Sequence, residues 1–304
     1  MKAGQSLSHL TARLLVNLED HFMMDRPDLV LAHGDTTTCF TTAISSFYHQ
    51  IPFFHVEAGL RSNRLNSPFP EEFNRQTIAP IARHHFAPTE LEKENLIKDG
   101  VSSSLITVTG STIHEAVQTM ISKVTPASKA CFSELNESRP LVLVTLHRRE
   151  TTQLLQNTLH GLKSAALSRP EALFICPVHP NPLVQEAFQT YLKGTENIIL
   201  TEPLAYPQFI SLLMRSQLVV TDSGGVQEEA AFLGKKVLLA RSETERTDGF
   251  ESGLTQLIGL NSESIYKTVL DELSGAVCTI NFPKINSLSR ASEIISNEVQ
   301  RVVG

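Results

Sequence analysis

Residues 52–75 read Pro52-Phe-Phe-His55-Val-Glu57-Ala-Gly59-Leu-Arg61-Ser-Asn-Arg64-Leu-Asn-Ser-Pro-Phe-Pro70-Glu71-Glu72-Phe-Asn-Arg75. A short apolar run, Ile51 to Phe54, leads into His55 and Glu57, and the chain turns at Gly59. Such a run is a short buried strand, and polar residues sit at its carboxyl end. In open parallel sheets the carboxyl ends of strands are where ligand-facing groups collect. Pro70 fixes the backbone ahead of a helix and leaves Glu71 and Glu72 in its first turn, where the helix dipole favours carboxylates.

The same alternation extends outward in both directions. Residues 8–24 carry Leu10, Leu14, Leu15, Leu18 and Phe22 at helical spacing, and Pro27 stops the helix. Asp28–Asp35 is a buried strand running into a turn, and Thr36–Thr38 open a helix that continues to Tyr48. After the strand Pro52–Val56, a helix runs from Glu71 toward Ala82, and strands follow at Arg83–Ala87 and Leu105–Thr109. Thr89 and Glu92 between them have capping-box spacing. Residues 123–139 are polar and strand-poor and read as a linker. A second alternation places strands at Leu141–Thr145, Leu173–Pro177, Asn197–Thr201, Leu218–Thr221 and Lys236–Ala240. Helices such as Leu154–Leu167 and Tyr206–Arg215 separate them. Strands alternating with helices specify parallel, doubly wound α/β sheets with right-handed crossovers. The expected domains are 1–122, 139–285, and a closing segment 286–304. In that last segment Ala291, Ile295, Val299 and Val302 share one helix face.

The 304 residues suit one large or two medium α/β domains, with 41% hydrophobic and 19% charged residues. A formal net charge of −6 argues against a general nucleic-acid or anionic-membrane binder. No apolar run is long enough to span a bilayer. The cysteines, Cys39, Cys131, Cys176 and Cys278, lack paired spacing, which fits reduced thiols in a cytoplasm better than disulfides or a metal site.

Several strand ends carry chemistry. Asp222-Ser223-Gly224-Gly225-Val-Gln-Glu228-Glu229 follows an apolar strand. Its glycines let the backbone approach a diphosphate at a helix N-terminus, and one of the two glutamates is suited to a ribose diol. His147 and Arg148 end the strand Leu141–Thr145. Arg gives bidentate phosphate contacts, and His can assist a departing oxygen. His179 lies in a proline-rich turn, and Arg246 beyond the strand Lys236–Ala240 is a cation able to hold phosphate or sugar hydroxyls. In the first half Asp35, Glu57 and Glu71 lie at or beside successive strand ends, with Arg61 and Arg64 between them. Carboxylates around one site can divide acid and base roles. Asp35 ahead of Thr36 is equally a credible helix N-cap, and Glu71 a credible first-turn carboxylate.

These segments, taken in order, carry a resemblance. His33-Gly-Asp35-Thr-Thr-Thr38, His55-Val-Glu57-Ala-Gly-Leu-Arg61, Pro70-Glu71-Glu-Phe-Asn-Arg75, Thr109-Gly-Ser-Thr112, His147-Arg-Arg-Glu150, Pro177-Val-His-Pro-Asn181 and Thr221-Asp-Ser-Gly-Gly-Val-Gln-Glu-Glu-Ala230 together resemble the bacterial UDP-N-acetylglucosamine 2-epimerase family of the non-hydrolysing type. The resemblance implies two Rossmann-like domains with parallel sheets facing a cleft, glycosyltransferase-B-like. It implies interconversion of UDP-GlcNAc and UDP-ManNAc without NAD, metal or other cofactor, by elimination and re-addition of UDP through a 2-acetamidoglucal. By motif match Asp35, Glu57 and Glu71 are the acid/base set and His147 the leaving-group partner. Ser223, Gly224 and Gly225 take the diphosphate, Glu229 the ribose, and Phe209 lies near the uracil. Arg61, Arg148, His179 and Arg246 complete the substrate-binding set. A cytoplasmic homodimer working for surface polysaccharide synthesis is implied, with a UDP-sugar as partner and neither nucleic acid nor membrane.

The family pattern opens with a strand and a Gly-Thr-Arg-Pro-Glu-Ala-type loop, whereas this sequence begins at an internal position. The first domain is therefore expected to be N-terminally truncated, with Leu29–His33 a bare sheet edge. Leu146 stands where the family has Gly, and Thr247-Asp248 where it has Pro-Glu. The alternatives are a hydrolysing relative that releases ManNAc and UDP, and an inactive truncated relative that binds UDP-sugar.

Overall fold

A computed structural model describes residues 5–125, 139–146, 154–241, 244, 249–250, 252–275 and 290–303. The chain divides into two compact units, Met1–Glu115 with Leu288–Gly304, and Ala116–Ser287. Among the described residues each unit holds one all-parallel sheet.

In the first unit, helix α1 (Leu7–Met24) is followed by β1 (Val30–His33), α2 (Thr37–Tyr48), β2 (Phe53–Val56), α3 (Glu71–Ile78), β3 (His84–Ala87), α4 (Glu90–Lys98) and β4 (Ile106–Val108), and then by α5 (Thr112–Lys123), which begins in this unit and ends in the second. The strands lie in chain order, β1-β2-β3-β4. Parallel pairing sends every crossover through a helix. Period-two alternation splits the buried strand β2 between two faces. Phe53 packs with Cys39, Ala43, Ile78 and Ala82, from α2 and the segment around α3. Phe54 and Val56 point the other way, with Phe86 of β3, onto Ile295 and Val299. These last two belong to the closing helix, Ala291–Val303 (α11 in the numbering below). Full burial of such side chains contributes about 1.5–3 kcal/mol each. Ser292 anchors the start of that helix, its N–H donating to Glu115 Oε2 at 2.8 Å. Val302 is 47% exposed, so the apolar face read over Ala291, Ile295, Val299 and Val302 ends one turn early.

The second unit runs β5 (Leu141–Thr145), α6 (Leu155–Ser168), β6 (Leu173–Pro177), α7 (Pro182–Leu192), β7 (Ile198–Thr201), α8 (Tyr206–Arg215), β8 (Leu218–Thr221), α9 (Gly224–Phe232), β9 (Lys236–Leu239), β10 (Thr255–Leu257) and α10 (Ser262–Ser274). Strand order is β10-β9-β8-β5-β6-β7. The chain winds outward from β5 to β7, then returns to place β8 on the other side of β5. The sheet's topological switch point is therefore between β5 and β8, where Thr145 and Thr221 are register partners and their hydroxyls lie 2.7 Å apart. The near-continuous apolar strands read from the sequence are buried on both faces, among them Val142, Val144, Phe174, Leu218, Val220 and Leu238. Strand β10 was not expected. Thr255-Gln-Leu257 is three residues long with two exposed, so it carries no apolar run, and its pairing with β9 defines it.

Candidate active site

The carboxyl ends of β1 and β2 bring Asp35 and Glu57 to one end of the first sheet, and the first turn of α3 supplies Glu71. Asp35 does not cap α2. Thr36 does, its Oγ1 accepting from the Cys39 N–H at 3.3 Å. The Asp35 carboxylate instead accepts from Arg75, at 2.8 Å from Nε and 2.6 Å from Nη2, and its backbone carbonyl accepts from Asn74 Nδ2 at 2.7 Å. One turn of α3 thus clamps the end of β1.

Glu57 has φ of +62°, the left-handed region that side-chain-bearing residues seldom adopt. Holding it there takes on the order of 1–3 kcal/mol, a kind of strain that collects at functional sites. Its Oε2 stands 3.8 Å from His33 Nδ1, and the His33 ring is also 3.1 Å from Thr112 Oγ1. Gly34 (φ +78°) makes room for it, since a Cβ there would lie 3.3 Å from Glu57 Oε2. Both carboxylates act on the buried Cys39 thiol. Its pKa is pushed up to about 12, first by burial and then by the charges of Asp35 and Glu57.

The neighbouring carboxylate has another job. Glu72 is fully buried and accepts from the Ser62 and Asn63 N–H groups, from Gln76 Nε2 at 3.0 Å and from Arg75 Nη1 at 3.3 Å. Burial opposes its charge, but these donors outweigh burial and hold its carboxyl below the ordinary 4.5. Glu72 therefore fixes the loop that follows β2. Arg61 is turned into the fold. Its Nε donates to Asp99 at 2.7 Å and its Nη1 to the Leu60 carbonyl, and the residue is 9% exposed. His55 is also structural, its Nε2–H donating to the Gly34 carbonyl at 2.7 Å. Burial lowers its pKa to about 4, so it is neutral.

In the second unit Ser223 is the N-cap of α9, its Oγ accepting from the Val226 N–H, with Gly224 and Gly225 in the first turn. This turn begins where β8 ends, beside the switch point. Backbone N–H groups, the helix dipole and glycines coincide there, the usual features of a phosphate site. Glu229, a turn further, is half-buried and accepts from the Tyr206 hydroxyl at 2.7 Å. Burial raises its carboxyl above the ordinary value, against the pull of that hydrogen bond. Phe209 lies on α8, the helix that Tyr206 begins. His179 is exposed at the end of β6, its Nδ1 accepting from the Asn181 N–H at 3.2 Å. His147, Arg148 and Arg246 lie outside the described residues.

The family model for UDP-N-acetylglucosamine 2-epimerase matches residues 1–285. The chain belongs to the UDP-N-acetylglucosamine 2-epimerase family. A Yersinia pestis protein of that name is 41% identical over 276 residues, spanning 88% of this chain and 73% of its own length. The crystal structure of UDP-GlcNAc 2-epimerase from Neisseria meningitidis bound to UDP-GlcNAc superposes with a TM-score of 0.89. The two are 33% identical, with 99% of this chain and 84% of that one covered. An S. aureus MnaA–UDP co-structure matches with a TM-score of 0.88 at 34% identity, covering 99% and 81%. The fold is thus that of glycosyltransferase-B-like UDP-GlcNAc 2-epimerases. Within this epimerase-family chain, sequence reasoning passed over Glu72, Asn74, Arg75 and Tyr206 as positioning residues. Arg75, one helical turn beyond Glu71 and Glu72, was the available signal: a cation at that spacing sits over the carboxylates of the preceding turn.

Proposed function

We propose that the chain is a UDP-N-acetylglucosamine 2-epimerase that interconverts UDP-GlcNAc and UDP-ManNAc by elimination and re-addition of UDP. The observation that carries this reading is the pairing of a family match over residues 1–285 with two built sites. Asp35, Glu57 and Glu71 are gathered at the sheet end of one unit, and a Ser-Gly-Gly helix start lies at the switch point of the other.

The chemistry follows from the residues. A carboxylate removes the proton from C2 of the sugar, the C2–H pair becomes the C1=C2 bond, and the C1–O pair leaves with UDP. A second carboxylic acid then returns a proton to the opposite face of C2 while the diphosphate oxygen re-adds to C1. Asp35, held by Arg75, and Glu57, held by its strained backbone and Gly34, are preorganised for such transfers, with Glu71 the third member. Ser223, Gly224 and Gly225 take the diphosphate, Glu229 the ribose and Phe209 the neighbourhood of the uracil. His147 assists the departing UDP, and Arg148, His179 and Arg246 add to its hold. We infer a homodimer in the cytoplasm that serves surface polysaccharide synthesis; no helix among the described residues is long and apolar enough to cross a membrane.

Proton NMR of UDP-GlcNAc incubated with the protein in D2O tests the reading. The expected result is a UDP-ManNAc signal set with deuterium at C2. Free ManNAc accumulating with UDP would assign the hydrolysing reaction instead, and unchanged UDP-GlcNAc would refute both.

A further inference from the structure

The proposed reaction leaves a proton imbalance inside the protein. One carboxylate gains a proton from C2 and another gives one up on the opposite face. After a single turnover each is therefore in the wrong state for the next turnover in the same direction. A proton must be moved out from one and in to the other. We propose that His33 is the group that resets Glu57 between turnovers by carrying its proton to and from water. The inference rests on the proposed epimerase reaction and on Glu57 being one of the two exchanging carboxylates; it holds whether Glu57 is the base or the acid.

Three observations carry it. His33 ends β1 one residue before Gly34, and its Nδ1 faces Glu57 Oε2 at 3.8 Å. Its Nε2 is 3.1 Å from Thr112 Oγ1, which begins α5. Its side chain is 50% exposed, while that of Glu57 is 11% exposed, so the imidazole joins a shielded carboxylate to solvent. An imidazole suits the task because it accepts at one nitrogen and releases from the other near neutral pH. With the Nε2 proton donated to Thr112, the Nδ1 lone pair is turned to Glu57. Protonated Glu57 gives its proton to Nδ1 once side-chain rotation closes the 3.8 Å gap to hydrogen-bond reach. The imidazolium then loses the Nε2 proton, through the Thr112 hydroxyl or directly to water, and proton exchange with water restores the Nε2–H tautomer before the next turnover. For loading Glu57 the same steps run backward. No charge accumulates over a full cycle, because the partner carboxylate exchanges one proton in the opposite sense.

His33→Gln keeps a polar side chain but cannot shuttle. Its expected kcat in weak buffer is roughly 100-fold below the parent, the low end of what a positioned proton-transfer group contributes. Added imidazole is expected to restore kcat in the variant and to leave the parent unchanged. A rapid-quench experiment should show a first turnover at the parental rate followed by a slow steady state. A circular-dichroism spectrum and a urea midpoint at the parental level show that the first unit, which carries the substitution, is folded. Thr112→Val, which keeps the imidazole but frees Nε2, is expected to give a smaller loss with the same rescue. The proposal is overturned if His33→Gln turns over normally, or if its loss falls on the first turnover and imidazole does not rescue it. A parent without epimerase activity would instead refute the proposed function and remove the basis for a reset.

Discussion

Arg75 holds Asp35 at the proposed acid/base end of the first unit, and Arg75→Met tests how firmly. The substitution keeps the aliphatic length and removes at least three charge-assisted contacts. Two go to Asp35 Oδ2, at 2.6 and 2.8 Å, and one longer contact goes to Glu72 Oε2 at 3.3 Å. The Glu72 carboxylate keeps the Ser62 and Asn63 N–H groups and Gln76, so its share of the loss is small. Among the described residues the Asp35 carboxylate is held by Arg75 alone, although its side chain is 20% exposed and water reaches part of it. Breaking a buried ion pair from one side costs about 3–5 kcal/mol, and the partial exposure of Asp35 puts the expected loss near 3 kcal/mol. For a unit of this size that lowers the unfolding midpoint by roughly 10 °C. Urea denaturation followed by circular dichroism would read it as a lower midpoint at unchanged slope. In a double-mutant cycle with Asp35→Asn, the two losses should fall short of additivity. In turnover, a misaligned Asp35 should cost about 100-fold in kcat if it plays its proposed acid/base part, while UDP affinity, which the proposed Ser223–Gly225 site in the other unit would supply, stays at the parental value. A variant within 1 kcal/mol of the parent and fully active would refute the clamp.

Three other outcomes are expected. The pKa of His55 is lowered from 6.5 to about 4 by burial, so the unfolded chain binds its proton first as pH falls. Its contribution is intact above pH 6.5 and is lost progressively as pH drops from 6.5 to about 4, by roughly 3 kcal/mol at the end. His55→Gln should flatten that part of a stability-versus-pH curve, and an unchanged curve would contradict the assignment. Gly59 has φ of +97° and a Cβ there would drive into the Glu92 backbone carbonyl, whose carbon would be 2.7 Å away. Gly59→Ala should therefore destabilise the first unit by more than about 3 kcal/mol in urea titrations. A Cβ on Gly225 would meet only Ser223 Oγ, at 3.9 Å. Gly225→Ala should leave the thermal midpoint unchanged yet weaken UDP binding by at least roughly tenfold in calorimetry, because only the ligand competes for that space.

Much of the fold was legible because apolar runs such as Leu141–Thr145 and Leu218–Thr221 leave no choice but a doubly covered parallel strand. Element ends were less so. The helix after Pro70 stops at Ile78 rather than near Ala82. Thr36, not Asp35, caps α2, because the Asp35 carboxylate finds a stronger partner 40 residues away. Adjacent Glu71 and Glu72 look identical in sequence, and their division of labour depends on which one the Ser62–Asn63 loop folds over. Arg61 was read as a cation facing ligand, while the structure commits its Nε to Asp99, 38 residues distant. In each case local pattern was right about residue type and silent about long-range partners.

The closing helix has a consequence for biosynthesis. Ile295 and Val299 complete a core with Phe54, Val56 and Phe86, yet Ala116–Ser287 is made in between. At ribosomal speed those about 170 residues take roughly 10–30 s to emerge. Throughout that interval one apolar face of the first sheet stays bare, while the contiguous second unit has everything it needs to fold. The nascent first unit is therefore expected to keep that face exposed until Ala291–Val303 arrives. Nonsense mutations anywhere before Ala291 should damage it as surely as mutations within its own strands.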